Sequence, residues 1–296
     1  MKNKTSLRTK MEIQYGTLIL PAFILFSVGI ILPIFMCLYY SLTEWDGFSS
    51  HIDFVGLQNY LEIFQDPSVK EAWKFTIIFA VINAFLADIL TLLLAVLFDK
   101  AVRFAKVYRA ILFIPCLFSS IVTGFVWNKI YAVVLPGIME KLHLDWNVQL
   151  LGNADTVIAG LTIANVWQWT GLWMMIYLAA LQSISTEYYE AARIDGAGEI
   201  QTFVEIVLPI IKPGIGALAI FTFINSWNDY FLQLIMLNSR TKLTISLGIA
   251  KLQAEMSTDF GLIMAGAALA AVPIITIFLL FQQYFTKGIT MGAVKG

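Results

Sequence analysis

Apolar residues fill six long stretches of the chain, roughly 15–40, 73–98, 107–131, 157–182, 214–236 and 262–285. Each is close to or longer than the ~20 residues of helix that cross a hydrocarbon core about 30 Å thick. The pattern predicts an all-α membrane protein with six transmembrane helices. The first stretch is too long for a signal-peptide core and has no small-residue cleavage pattern after it, so it reads as an uncleaved span. Two connections are long. The 41–72 connection contains "DFVGLQNYLEIF" and predicts one interfacial or outer-face helix. The 186–213 connection is polar and acidic, and it is the more informative of the two.

In that second connection, Ser185 or Thr186 can cap a helix that carries Glu187 in its first turn. Gly196 and Gly198 then interrupt it. Residues 199–208 predict a second short helix, with Ile200, Phe203, Val204 and Val207 on one face and Gln201, Thr202 and Glu205 on the other. Pro209 and Pro213 mark where the next span begins. Ala191 and Ala192 carry so little side chain that another protein could approach the backbone, and Glu190 offers a charge at the same spot. Periodicity alone equally allows an amphipathic loop lying on lipid head groups.

Composition agrees with a bilayer. The 296 residues are 59% hydrophobic and 13% charged, against about 25% charged in soluble domains. The net charge of −1 carries no signal for nucleic acid. Lys2, Lys4, Arg8 and Lys10, and then Lys100, Arg103, Lys106 and Arg109, place the N-terminus and the 99–109 connection in the cytoplasm. The acidic 41–72 connection falls outside. Alternation then puts the 186–213 loop and the C-terminus, with Lys287 and Lys295, inside. Cys37 and Cys116 sit in apolar runs as small hydrophobes, and His51 and His143 are isolated, so no metal-ligand spacing is present. No G-x-x-x-x-G-K-S/T phosphate loop occurs, so any ATP is bound by another polypeptide.

Polar side chains inside spans mark candidate sites. Asn225, Asp229 and Gln233 recur every four residues in the fifth stretch and predict one polar helix face. Asn165, Trp169, Trp173 and Tyr177 form a second stripe in the fourth. Amides beside flat aromatic rings suit the hydroxyls and C–H edges of a sugar; the same groups also serve as packing between helices. No Lys or Arg falls in the middle of a span, which favours a neutral solute over a phosphorylated one. Asp88 and Asp229 also admit an ion-coupled secondary transporter, a reading that leaves the 190–209 loop without a role.

The loop carries a more specific pattern. Glu190, Ala191 and Ala192 are followed by three residues and Gly196, then by nine residues and Ile206, with Leu208 and Pro209 close behind. This resembles, position for position, the EAA loop of permease subunits in binding-protein-dependent ABC importers. The likeness extends along the chain and is to the maltose-type carbohydrate branch. "FVGLQNY" at 54–60, "YRAILFIPCLFSS" at 108–120 and "LQSISTEYYEAARIDGA" at 181–197 resemble the first permease of such pairs. "INSWNDYFLQLIML" at 224–237, "GLIMAGAALAAVP" at 261–273 and "GITMGAVKG" at 288–296 resemble the second.

The resemblance implies a type I ABC importer permease fold: a cytoplasmic N-terminus at 1–14, a six-helix membrane domain over 15–285 with its coupling loop at 186–213, and a cytoplasmic tail at 286–296. It implies ATPase coupling through Glu190, Ala191, Ala192, Gly196, Ile206, Leu208 and Pro209. A substrate pathway is expected along Asn165, Trp169, Trp173, Asn225, Asp229 and Gln233. The implied partners are a second permease subunit or a second copy, a cytoplasmic ATPase dimer holding ATP and magnesium, an extracytoplasmic solute-binding protein, and the lipid bilayer of a bacterial cell. The chain itself is expected to bind no cofactor and to catalyse no reaction.

Overall fold

A computed structural model describes residues 2–99, 103–143, 150–153, 156–237, 243–255 and 259–293. Lys100, and Lys295 with the end of the "GAVKG" tail, lie outside them. Within the described residues, five helices are long and apolar enough to cross a membrane: Gln14–Tyr40, Pro67–Asp99, Ser120–Lys141, Glu199–Asn228 and Phe260–Tyr284. The fourth expected span exists as a 26-residue helix, Val157–Gln182. It falls short in apolar character because Asn165, Gln168 and three tryptophans dilute its hydropathy, and it compensates by being extensively buried.

The chain divides into two compact units. In the first, α1 (Lys2–Phe26) and α2 (Leu32–Tyr40) join through a π turn at Ser27–Ile31. α1 begins well before the apolar stretch, and the membrane-length part of this helical segment is Gln14–Tyr40. A two-strand hairpin follows, β1 (Thr43–Glu44) against β2 (Asp53–Phe54), and then α3 (Gln58–Gln65). The "FVGLQNY" stretch gains its structural sense here. Asn59 is buried, and its side-chain amide donates to the carbonyls of Ser41 at 3.0 Å and Thr43 at 2.9 Å, clamping the hairpin onto α3. In the hairpin turn, the backbone N–H groups of Ser49 and Phe48 donate to Asp46 and hold its carboxyl below the usual aspartate range.

The second unit begins with α4 (Pro67–Asp99). The third expected span, 107–131, is not one helix. α5 (Ala105–Phe113) passes into a 3-10 turn at Ile114–Leu117 that carries Pro115, Phe118 is extended, and α6 (Ser120–Lys129) starts afresh. Ser119 caps the new helix by accepting from the Val122 N–H at 3.3 Å. α6 continues through a π turn into α7 (Leu135–Lys141), so the membrane-length helix lies about ten residues later than apolarity alone suggested.

α8 (Val157–Gln182) is the central helix of this unit. Trp173, Met174, Tyr177, Leu178 and Leu181 pack against Ala87, Ala95 and Phe98 of α4 and against Val207, Ile211 and Leu218 further on. A second cluster joins Phe75 and Phe79 to Leu161, Ala164, Leu232 and Met236. Gly171 lets α8 approach the end of α5 at backbone distance: a Cβ there would lie 2.1 Å from the Leu112 carbonyl oxygen. After α8 come α9 (Thr186–Ile194), α10 (Glu199–Thr202), α11 (Leu208–Asn228), α12 (Tyr230–Met236), α13 (Ile245–Glu255) and α14 (Phe260–Ala293).

Candidate functional site

The loop between α8 and α11 is built by its caps. Ser185 accepts from the Glu187 N–H and opens α9, as its sequence implies. At the other end the Gly196 N–H donates to the Arg193 carbonyl, and the Ala197 N–H reaches back to the Ala192 carbonyl at 2.9 Å. This pair of bonds is a Schellman closure. It requires a left-handed residue, and Gly196 supplies it with φ +75°. A Cβ at Gly196 would meet nothing within 4 Å, so the turn projects into open space.

The loop departs from expectation after the turn. Residues 199–208 do not form a separate short helix. α10 passes through a π turn at Phe203–Val207 directly into α11, and one continuous helix runs over Glu199–Asn228. Pro209 does not delimit it, because a proline in the first turn of α11 leaves the helix intact. Pro213 lies inside α11 and does not end it. The expected faces also rotate. Thr202 and Val207 are buried, whereas Ile200 is 82% exposed and Val204 is exposed as well. Ile194, at the end of α9, is 86% exposed. Glu190 and Ala191 are exposed, but Ala192 is buried beneath them, so its small side chain fits the protein's own core and not a partner. Ile206 and Leu208 are half-buried and Pro209 is exposed. The outward surface of the turn is thus Glu190, Ala191, Gly196 and two bare isoleucines. Ile194 and Ile200 are large apolar side chains that the turn leaves uncovered.

The candidate pathway residues come together differently. The fifth expected span breaks at Asp229, whose backbone (φ −72°, ψ 89°) leaves the helix. Asn225, Asp229 and Gln233 therefore do not share one helix face. Asp229 instead caps α12, accepting from the Leu232 N–H at 3.3 Å. The carbonyls freed at the end of α11 are recaptured: the fully buried Gln233 amide donates to Ser226 O at 3.2 Å, and Ser246 Oγ donates to Trp227 O at 3.4 Å. Gln233 thus braces the break.

Behind the break lies a buried amide network. Asn83 Nδ2 of α4 donates to Asn165 Oδ1 at 2.8 Å and to Ser226 Oγ at 2.6 Å. Asn165 Nδ2 of α8 donates in turn to Asp229 Oδ2 at 3.0 Å. Asp88 stands apart, accepting from the Tyr177 hydroxyl at 3.2 Å.

In front of the break is a cavity of about 420 Å³ whose wall includes Ser120, Trp169, Asn225, Asn228, Asp229 and Tyr230. Of the expected pathway set, Trp169, Asn225 and Asp229 reach this cavity. Asn165 supports it from behind with no exposed surface. Trp173 stacks on Trp169, ring centroids 6.1 Å apart, but is itself completely buried in the α4–α8 core, where its large ring fills space that a ligand cannot enter. Ser120, Phe221, Tyr230 and Phe231 also line the cavity and lie outside the polar stripes. The signal for them was the Asn228–Asp229 pair, a cap sequence in the middle of an apolar run.

Three comparisons bear on this geometry. Residues 75–291 match the family described as "Binding-protein-dependent transport system inner membrane component". The "Probable starch degradation products transport system permease protein AmyD" of Thermoanaerobacterium thermosulfurigenes is 31% identical over 218 residues, 74% of each chain. The diacetylchitobiose uptake system permease protein NgcF of Streptomyces coelicolor is 28% identical over 268 residues, 83% of this chain and 76% of that one. Among solved structures, a chain of a bacterial alginate ABC transporter, crystallised in complex with an alginate pentasaccharide-bound periplasmic protein, superposes with a TM-score of 0.78 at 21% identity, covering 92% of this chain and 93% of that chain.

Proposed function

The chain belongs to the family of inner-membrane components of binding-protein-dependent transport systems, and from that premise we propose that it is a permease subunit of an ABC importer that carries an oligosaccharide into the cell. It is a multi-pass cell-membrane protein and a transport component, not an enzyme. The observation that carries the substrate class is the cavity at the helix break: the Trp169 ring, the Asn225 and Asn228 amides and the Tyr230 side chain together offer a stacking face and hydrogen-bond partners for sugar hydroxyls. Among the described residues, Asp229 is the one charged residue in its wall. A lining without a cation suits a neutral saccharide better than a phosphorylated or uronic one.

Energy enters through the α9–α10 turn. Glu190, Ala191, Gly196 and the exposed Ile194 and Ile200 form the face that docks into a cytoplasmic ATPase, while Ile206, Leu208 and Pro209 transmit its movement along the unbroken helix into α11. ATP and magnesium belong to a dimer of that ATPase. A second permease subunit, or a second copy of this chain, encloses the other half of the pathway, and a solute-binding protein delivers the sugar from outside. Family membership replaces the ion-coupled reading of Asp88 and Asp229, which hydrogen-bond to different partners and share none.

The test is uptake by membrane vesicles in which ATP and the ion gradients are controlled separately. Uptake requires internal ATP and survives ionophores that collapse proton and sodium gradients. Uptake that persists without ATP and disappears with the gradient overturns the proposal.

A further inference from the structure

A second cavity, of about 460 Å³, lies under the coupling turn, between the last turns of α4 and the α9–α11 segment. That volume is in the range of roughly 300–1,000 Å³ typical of small-ligand sites. Its depth is apolar, formed by Leu92, Val96, Phe203 and Val207. Its wall also carries charge of both signs, with Asp99 at the end of α4, Glu199 at the start of α10 and Arg193 on α9, all three exposed, and the hydroxyl groups of Tyr189 and Thr202. Burial, then the Asp99 carboxylate, push the Tyr189 phenol up, so it remains a protonated hydrogen-bond donor.

Leu93 belongs to two surfaces. It lines the cavity and is 62% exposed. Leu86, Leu90 and Leu97 are exposed at spacings of seven, three and four residues from it, on the same face of α4. The cavity therefore joins the apolar track of a membrane span at the depth where the span ends and head groups begin.

We propose that this cavity holds one acyl chain of an inner-leaflet phospholipid with a zwitterionic, ammonium-bearing head group. The chain lies against Leu93 and Val96, the phosphate pairs with Arg193, and the ammonium meets Asp99. A head group that carries a phosphate but no cation, such as glycerol, would bring no counter-charge to Asp99 and Glu199. The bound lipid packs the coupling turn against α4. This inference rests on the cytoplasmic placement of the loop in the proposed function.

The experiment uses the assembled transporter in nanodiscs containing equal amounts of phosphatidylethanolamine and phosphatidylglycerol, released into native mass spectrometry. Wild type retains one more phosphatidylethanolamine per copy of this chain than Leu93→Trp, which blocks the mouth from a lipid-facing position and leaves the core untouched. Arg193→Gln, on the exposed surface, lowers that retention at least threefold. Equal retention in wild type and both variants overturns the site. Retention of phosphatidylglycerol as readily as phosphatidylethanolamine overturns the head-group assignment. Labelling of a cysteine at 198 from outside the cell would instead overturn the placement of the loop, and it reads independently of the lipid count.

Discussion

The side-chain amide of Asn165 donates to the carboxylate of Asp229 at 3.0 Å, joining the middle of α8 to a break in the next membrane helix 64 positions later. The same carboxylate caps α12 through the Leu232 N–H. One side chain thus fixes the break and lines the cavity in front of it. Asn165 cannot be replaced by an apolar residue without leaving the inner carboxylate oxygen unpaired, at a cost of about 1–3 kcal/mol.

Asp229→Asn keeps an acceptor for the Leu232 N–H and can donate to Asn165 once the Asn165 amide turns over to present its oxygen. Asp229→Ala loses the cap, worth about 0.5–2 kcal/mol. Thermal unfolding in detergent should therefore rank wild type and Asp229→Asn close together, with Asp229→Ala and Asn165→Leu lower. ATP-driven uptake should follow the same order. If Asp229→Asn abolishes uptake while the protein stays as stable as wild type, the carboxylate has a role beyond positioning.

Trp169 and Asn225 face the cavity, whereas Trp173 faces the core. Trp169→Ala and Asn225→Ala should each lower sugar uptake without changing basal ATPase activity. A single polar contact is worth about 0.5–1.5 kcal/mol, so the Asn225→Ala loss should be about 2- to 12-fold. Trp173→Ala should act on folding, since deleting a buried tryptophan costs about 3–5 kcal/mol. Comparing uptake per folded molecule separates the two classes, and unchanged uptake in both cavity variants would remove the sugar from this site.

Gly196 closes the Schellman turn at φ +75° and points into open space. Any substitution there costs only backbone strain within this chain, about 1–2 kcal/mol for most residues and less for asparagine. Gly196→Asp also adds a charge on the proposed docking face next to Asp195. The variant should insert normally, lose the ATPase during co-purification and lose uptake, with Gly196→Asn intermediate. Wild-type ATPase stoichiometry in Gly196→Asp would detach the turn from coupling.

The side of the membrane is testable directly. With Cys37 and Cys116 replaced by serine, a cysteine at 50 in the hairpin turn should react with an impermeant reagent from outside, and one at 198 should not. The opposite labelling pattern would invert the topology drawn from the Lys and Arg distribution.

The membrane environment and the local form of the turn at Gly196 were legible in the residues alone. Long apolar runs leave a helix in lipid as the one way to satisfy the backbone, and the caps at Ser185 and Gly196 are local, since each depends on residues within a few positions. For that reason the EAA pattern could be read directly. The breaks inside spans were a different matter. Apolarity treats 107–131 and 214–236 as uniform, yet Phe118 and Asp229 interrupt them, and the reason is tertiary: Gln168 Nε2 of α8 donates to the Phe118 carbonyl at 2.9 Å, and Asn165 and Gln233 secure the ends at Asp229. A broken helix in a membrane is stable only when other elements take up the freed polar groups, and two of those partners, Gln168 and Asn165, lie 50 and 64 residues away in the chain. The tertiary structure also decided which side of each stripe faces a cavity. Trp169 and Trp173 sit one helical turn apart and read alike in sequence, but the packing of α4 against α8 closes over Trp173 and leaves Trp169 at the opening.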